Sequence, residues 1–342
     1  MKIKAFQEYM RAHSIGYAIL YNYNNPRLRA NFFYFSQSEE EGAIIIPREG
    51  EPKKISTPLE STNGKIVWRK GRFFDFIKGQ AGRTKRIGLD KENLTLNAVR
   101  AIRKSFPKTE LVNVTQECLK LRKTKTEEEI ELIKKACKAS EKIIEECIQE
   151  FRSFKTETEA KKFLLTRAIE EDSETAFEPV VATGKNASIP HHKPDNTKIG
   201  KGFAIIDFGV KHKGYCADLT RTIFVGSPNS REKKLFELVQ KTQEDAIRLI
   251  RPALLAGKMQ ETGKKMLGKK LIHAIGHGVG VDVHEGPAIT ENNSERLQKG
   301  MILCVEPGYY IRNQLGIRIE DMVLVTDNGY KRISRQSELF IV

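Results

Sequence analysis

The stretch IIDFGVKHKGYCADLTRT, residues 205–222, places two aspartates inside apolar, strand-forming sequence, where aspartate fits poorly. Lys211-His212-Lys213-Gly214 is turn sequence. A hairpin symmetric about the bond between His212 and Lys213 sets Asp207 directly opposite Asp218. Like charges opposed on one face of a strand pair destabilise it, so something positive must sit between them. HAIGHGVGVDVHEGP, residues 273–287, carries His273, His277 and His284 in a chain with only 7 histidines. Imidazole is the commonest metal ligand, and glycines at 276, 278 and 280 let backbone pass close to a neighbour. In CVEPGYYIRNQLGIRIEDMVLV, Glu306 ends one strand and Glu320 lies within the next, near-opposed about a turn at Asn313. By alternation Arg318, Glu320 and Met322 share one face, and Ile317, Ile319 and Val323 take the other.

Taken singly, a buried glutamate here could simply pair with Arg318. The four carboxylates together demand more. Buried unpaired, they are prohibitively costly, so they must be protonated, matched by arginines or bridged by metal. Arg221 and Arg318 are too few to neutralise all four. Four carboxylates and an imidazole suit a pair of divalent cations such as Mn²⁺, Co²⁺, Fe²⁺ or Zn²⁺. Two such ions about 3.5 Å apart can activate water and polarise a carbonyl, which is hydrolase chemistry.

These residues need strands to hold them, and the chain supplies both strands and helices in two parts. In the first, Tyr17 to Asn22, Gly42 to Pro47, Arg86 to Leu89 and Glu110 to Val114 read as strands. A helix from Leu94 to Phe106 separates the last two. Strand and helix alternating in this way predict a small layered α/β domain. A boundary falls in CLKLRKTK, residues 118–125, which divides the chain into domains 1–122 and 123–342. Thr126 with Glu129 starts a helix with a capping-box pattern, and Thr156 with Glu159 starts another. A third helix runs from about Arg231 to Arg251 and is stopped by Pro252. Apolar strands at Met301 to Val305 and Ile317 to Val325 complete the second part.

Composition limits the class. Lys plus Arg total 59 against 44 Asp plus Glu, a formal charge of +15, but the basic residues are dispersed and not massed in one arm. No run of eighteen apolar residues suggests a membrane span. The N-terminus, MKIKAFQEYMRAHS, has no apolar signal-peptide core. Five scattered cysteines without a CxxC read as reduced thiols, and we expect a cytoplasmic protein.

The motifs Asp207-Phe-Gly, Asp218-Leu-Thr-Arg-Thr, Gly276-His277-Gly278, Val283-His284-Glu285, Glu306-Pro307-Gly308 and Arg318-Ile-Glu320-Asp321 fall in order across about 120 residues. Together they resemble the pita-bread dinuclear metallopeptidases: methionine aminopeptidase, aminopeptidase P and prolidase. The resemblance implies a mixed α/β (α+β) fold, with a small creatinase/prolidase-like N-terminal domain followed by a pita-bread catalytic domain. It further implies Asp207, Asp218, His277, Glu306 and Glu320 as ligands of two divalent metal ions, with Asp218 and Glu320 bridging. His191 in SIPHHKP matches the family's substrate-contacting histidine, with His192 as competitor. His284 matches the histidine that stabilises the tetrahedral intermediate, and Glu306 doubles as acid/base. His273 is either a support for the site or a packing residue.

Residues 1 to about 120 resemble the domain that prolidase and aminopeptidase P carry, and so point to the proline-specific branch. The implied substrate is a peptide with proline second, and the implied assembly a homodimer. One departure stands out. Some prolidases place an arginine after the His-Glu pair to fix a dipeptide's carboxylate, whereas this chain reads His284-Glu285-Gly286-Pro287-Ala288. The anchor would then come from the N-terminal domain or a partner subunit, or the enzyme would cleave longer peptides. Two other classes of function compete with this one. A catalytically inactive pita-bread binding protein, partnering nucleic acid, ribosome or chaperone client, normally lacks ligands that this chain keeps. Creatinase-like carbon–nitrogen hydrolysis does not need the metal pair.

Overall fold

A computed structural model describes residues 2–23, 29–60 and 63–342. Two compact units divide it, Met1–Arg122 and Lys123–Val342. In the first, helix α1 (Ile3–Ala12) precedes a six-stranded sheet of β1 (Tyr17–Asn22), β2 (Gly42–Pro47), β3 (Lys53–Ser56), β4 (Ile66–Val67), β5 (Arg86–Leu89) and β6 (Glu110–Asn113). The order is β4-β3-β2-β1-β5-β6. β1 is antiparallel to β2 and parallel to β5, so the sheet is mixed. Helices α2 (Ala30–Ser36), α3 (Phe73–Ala81) and α4 (Leu96–Ser105) intervene, and α5 (Thr115–Lys123) follows the last strand. β1 and most of β2 are buried throughout, which explains why they read as unbroken apolar runs and not as alternation.

The second unit opens on α6 (Glu127–Gln149), whose Thr126–Glu129 capping box forms as the sequence indicates and satisfies two of the helix's free amides. Such caps are worth about 1 kcal/mol. Its buried face carries Ile130, Ile133, Ile143 and Ile144, each worth about 2 kcal/mol of burial. From α7 (Glu157–Glu170) the chain enters the strands β7 (Glu174–Thr175), β8 (Val180–Thr183), β9 (Gly202–Phe208), β10 (Val210–His212), β11 (Tyr215–Cys216) and β12 (Leu219–Val225). After α8 (Ser230–Arg248) and α9 (Gly257–Leu267) come β13 (Gly276–Gly278), β14 (Glu285–Ala288), β15 (Ile302–Val305), β16 (Gly308–Ile311), β17 (Leu315–Arg318), β18 (Asp321–Val325), β19 (Tyr330–Arg332) and β20 (Phe340–Ile341). They build a four-stranded sheet, β20-β12-β9-β8, a five-stranded sheet, β14-β13-β15-β18-β19, and the hairpin β16-β17. The core of this unit joins Phe203 and Phe224 to Val239 and Ile247 of α8, Met259 of α9, and Leu303, Ile317, Ile319 and Val323 of the later strands.

Two expectations from sequence need correction. The hairpin containing the aspartates turns one residue later than symmetry suggests. Lys213 and Gly214 both have positive φ, 48° and 80°, the signature of a two-residue type I′ turn. Asp207 therefore lies opposite Thr220, and Asp218 is not its direct partner. Because the register moves by two, Asp218 stays on the face of Thr220, and the two acidic groups still converge. Second, the strand expected over Ile317 to Val325 is broken at Ile319-Glu320 into β17 and β18. Helix α9 went unread because its buried face includes Gly257, Gln260 and Gly263, and no capping side chain marks its start.

Continuing the β9–β12 register puts Gly209 across from Asp218. A Cβ at Gly209 would lie 1.9 Å from the carbonyl oxygen of Ala217. Gly209→Ala should therefore destabilise the unit by about 1–3 kcal/mol, as overpacked sites do. A shift of the urea midpoint to lower concentration checks this; an unchanged midpoint would show that the hairpin adapts freely.

Candidate metal centre

His277 is the middle residue of β13, paired with Cys304 of β15 on one side and with β14 on the other. Glycine on either side is a steric need: a Cβ at Gly276 would sit 2.1 Å from the Cys304 carbonyl, and one at Gly278 2.3 Å from that of Gly286. His277 Nδ1 lies 3.1 Å from the Gly278 carbonyl oxygen, so Nδ1 carries the proton and Nε2 presents a lone pair. That lone pair faces Asp218 Oδ2 at 3.6 Å, Glu306 Oε1 at 3.6 Å and Glu320 Oε1 at 3.8 Å. Burial, then the neighbouring His284, lowers the pKa of His277 to about 4, so the ring is neutral near pH 7.

The two glutamates meet through register. Val305 pairs with Asp321, and Gly308 with Arg318. Both pairings share one offset, which sets Glu306 opposite Glu320 at the break between the hairpin and the sheet. The turn residue Asn313 has φ 58°, at the expected midpoint. Asp207 comes from the end of β9, and Asp218 from the link between β11 and β12. Burial, then the surrounding carboxylates, pushes Asp218 well above the ordinary carboxylate range. Glu306 rises for the same two reasons, burial and then Glu320. Glu320 is pushed up to about 7 by burial and then by Asp207.

Among the described residues, only one of the four carboxylates has an arginine partner. Arg318 Nη2 donates to Asp207 Oδ2 at 2.6 Å. The same guanidinium donates to Tyr310 Oη at 3.1 Å and to the Pro190 carbonyl at 3.0 Å, while its Nε reaches Thr220 Oγ1 at 3.3 Å. Arg221 turns away. It donates to the backbone oxygen of Glu320 at 2.6 Å and ion-pairs with Asp321 at 3.2 Å, and Arg332 also contacts Asp321. Asp207 Oδ1 and Glu320 Oε1 are buried without a hydrogen-bond partner among the described residues. Buried acceptors normally find donors. Acceptors facing one another, with two oxygens free, fit metal cations and not protein donors. Asp218, His277, Cys304 and Glu320 each offer an atom within 4.8 Å of the others, a spacing suited to an ion.

Residues that sequence reasoning passed over complete the setting. Thr220 Oγ1 donates to Glu320 Oε2 at 2.9 Å and accepts from Arg318. Cys304 sits beside the carboxylates, with its thiol pushed well up, first by burial and then by Glu320. Alternation along the strands could have found both: Thr220 is two residues from Asp218, and Cys304 two from Glu306. His273 is a support: its Nδ1 lies 2.7 Å from the Ala274 carbonyl, and its Nε2 accepts from Tyr310 at 2.9 Å. Burial lowers its pKa to about 4.

These groups open onto a cavity of 810 Å³, also lined by His191, His192 and His284. The rings of His284 and His277 are 4.2 Å apart, and His284 is lowered, chiefly by burial. His192 Nε2 is engaged by Glu157 Oε2 at 2.7 Å, which leaves His191 as the ring on that wall without a hydrogen-bond partner among the described residues. The apolar part of the lining includes Phe177, Pro179, Val180 and Pro190. No helix among the described residues is long and apolar enough to cross a membrane.

Comparison with known proteins agrees with this geometry. Residues 131–327 match the model of metallopeptidase family M24, and residues 2–124 match the creatinase/prolidase N-terminal domain. The chain is 31% identical over 317 residues to the Xaa-Pro dipeptidase of Pyrococcus furiosus, covering 89% of this chain and 91% of that protein. It resembles the solved X-Pro aminopeptidase of Thermotoga maritima with a TM-score of 0.90 at 29% identity, over 98% of this chain and 100% of that one. The prolidase structure from Pyrococcus furiosus gives 0.86 at 29% identity, over 97% and 100%. The chain belongs to metallopeptidase family M24 and begins with a creatinase/prolidase N-terminal domain.

Proposed function

We propose that this protein hydrolyses the peptide bond preceding proline, releasing the N-terminal residue of Xaa-Pro substrates. The observation that carries the reading is the neutral imidazole nitrogen of His277 facing three carboxylates within 3.8 Å, with one of those oxygens, Glu320 Oε1, and the nearby Asp207 Oδ1 buried without a hydrogen-bond partner among the described residues. Membership of family M24 and the likeness to Xaa-Pro dipeptidase and X-Pro aminopeptidase support it.

In this reading residues 123–342 are the catalytic domain and 1–122 a companion domain. Asp207, Asp218, His277, Glu306 and Glu320 would hold two divalent cations. When bound, such ions supply Lewis-acid polarisation of the scissile carbonyl and acidify water. Glu306 takes a proton from the attacking water and returns one to the departing nitrogen. His284 donates to the oxyanion that develops on the carbonyl. His191 contacts the substrate beside the scissile bond. Proline is ring-shaped and its nitrogen has no N–H to donate, so its site needs an apolar slot and no acceptor for that nitrogen. Phe177, Pro179, Val180 and Pro190 supply such a surface. Arg318, Tyr310 and His273 form a hydrogen-bonded line that holds Asp207 in place.

Purified protein supplied with Mn²⁺, Co²⁺ or Zn²⁺ should release leucine from Leu-Pro or from a Leu-Pro-containing tripeptide. No turnover of either with any of the three ions would overturn the reading. Dialysis against a strong chelator should abolish turnover, and re-addition of a divalent ion should restore it. Asp218→Ala and Glu320→Ala should each lose both bound metal, by elemental analysis, and activity. His284→Ala should keep its metal and lose roughly a hundredfold in kcat, the usual cost of a missing transition-state donor; metal loss in that variant would mean the role is misassigned.

A further inference from the structure

One wall of the cavity hangs from a single buried carboxylate. Glu157, the first residue of α7, has no exposed surface. Its Oε1 accepts from the Thr183 amide at 2.7 Å and the Thr183 hydroxyl at 2.9 Å, and both its oxygens lie 3.2 Å from Asn186 Nδ2. Its Oε2 is 2.7 Å from His192 Nε2. Beyond His192, the Thr158 amide donates to the Asp195 carbonyl at 3.0 Å, and Thr156 bridges to Lys198. Glu157, His192 and Asp195 come close enough to hold an ion. Glu157 is already filled by donors, however, so the cluster is a clamp. Lys193 is thus flanked on both sides by anchored residues, His192 and Asp195.

The charges lining the cavity can be assigned one by one. Arg318 is saturated by Asp207, Thr220, Tyr310 and Pro190. Glu178 is paired with Lys161, and Glu285 with Lys125 in a buried pair at 3.2 Å. The remaining carboxylates are those of the metal centre. Lys193 is the one lining lysine or arginine without a hydrogen bond or ion pair among the described residues, and it is exposed. A substrate that ends at proline brings one anion, its own carboxylate. A longer peptide has an uncharged amide there. The prolyl half of a dipeptide offers only its ring and that anion for recognition, since its nitrogen donates nothing. The ring has an apolar surface in the cavity, and the anion has one free cation available.

We propose that Lys193 binds the free carboxylate of an Xaa-Pro dipeptide and so sets a preference for dipeptides over longer chains. This rests on the reading of the site as an Xaa-Pro peptidase. The test compares Leu-Pro with Leu-Pro-amide, which differ only in that charge. The readout is the ratio of their kcat/KM values, measured for the wild type, Lys193→Met and Lys193→Arg with equal metal content. Loss of a charge-assisted contact should lower the ratio at least about tenfold in Lys193→Met, mainly through KM for Leu-Pro, and Lys193→Arg should retain most of it. A ratio within twofold of wild type in Lys193→Met overturns the assignment, whatever happens to each substrate alone. If the wild type cleaves neither compound, the reading of the site itself fails and takes the assignment with it.

Discussion

An uncompensated set of buried acceptors governs this structure. Three carboxylates and a neutral imidazole nitrogen converge within 3.8 Å, and a fourth carboxylate, Asp207, stands by with one oxygen unsatisfied. Protein groups answer only part of that demand: Arg318 neutralises Asp207, and Thr220 satisfies one oxygen of Glu320. The rest of the second unit can be understood as scaffolding that forces these groups together against their mutual repulsion. Two sheets meet there, each offering the end or break of a strand. Helices α8 and α9 bury Ile317, Ile319 and Val323 on the opposite face. Hydrophobic burial on one side of a strand thus holds charge in place on the other.

Placing the groups at strand breaks matters chemically. Asp218, Glu306 and Glu320 all lie just outside regular pairing, where side chains can approach from different directions while the adjoining ladder still fixes their height. Arg221 reinforces this from behind by gripping the carbonyls of Thr220 and Glu320. Its partner Asp321 is kept for that structural pairing and does not enter the cavity lining.

Much of this was legible from residue order. Because both signals are local, apolar runs found most of the long strands and capping-box patterns placed the starts of α6 and α7, although at α7 Glu159 closes on the Lys155 amide and not on Thr156. The Glu306–Glu320 opposition was legible since its loop is symmetric about Asn313. The Asp207–Asp218 register was not: deciding between neighbouring turns requires knowing that Lys213 accepts a positive φ. Helix α9 escaped because glycine and glutamine do the packing that leucine usually does. The clamp at Glu157 was invisible too, since its partners are scattered from Thr183 to Asp195 and none of them carries a sequence signature.

The shift in the aspartate hairpin has a further meaning for how such a loop can change length. Side chains on a ladder alternate between faces, so the sheet responds to whether a change is odd or even more than to its size. Trimming or adding a pair of residues between Val210 and Cys216 leaves both acids aimed into the cleft. Removing a single residue swings one of them to the far side. The tip of that hairpin can therefore change length in steps of two with the acidic pair kept together, whereas an odd change turns one acid away from the other.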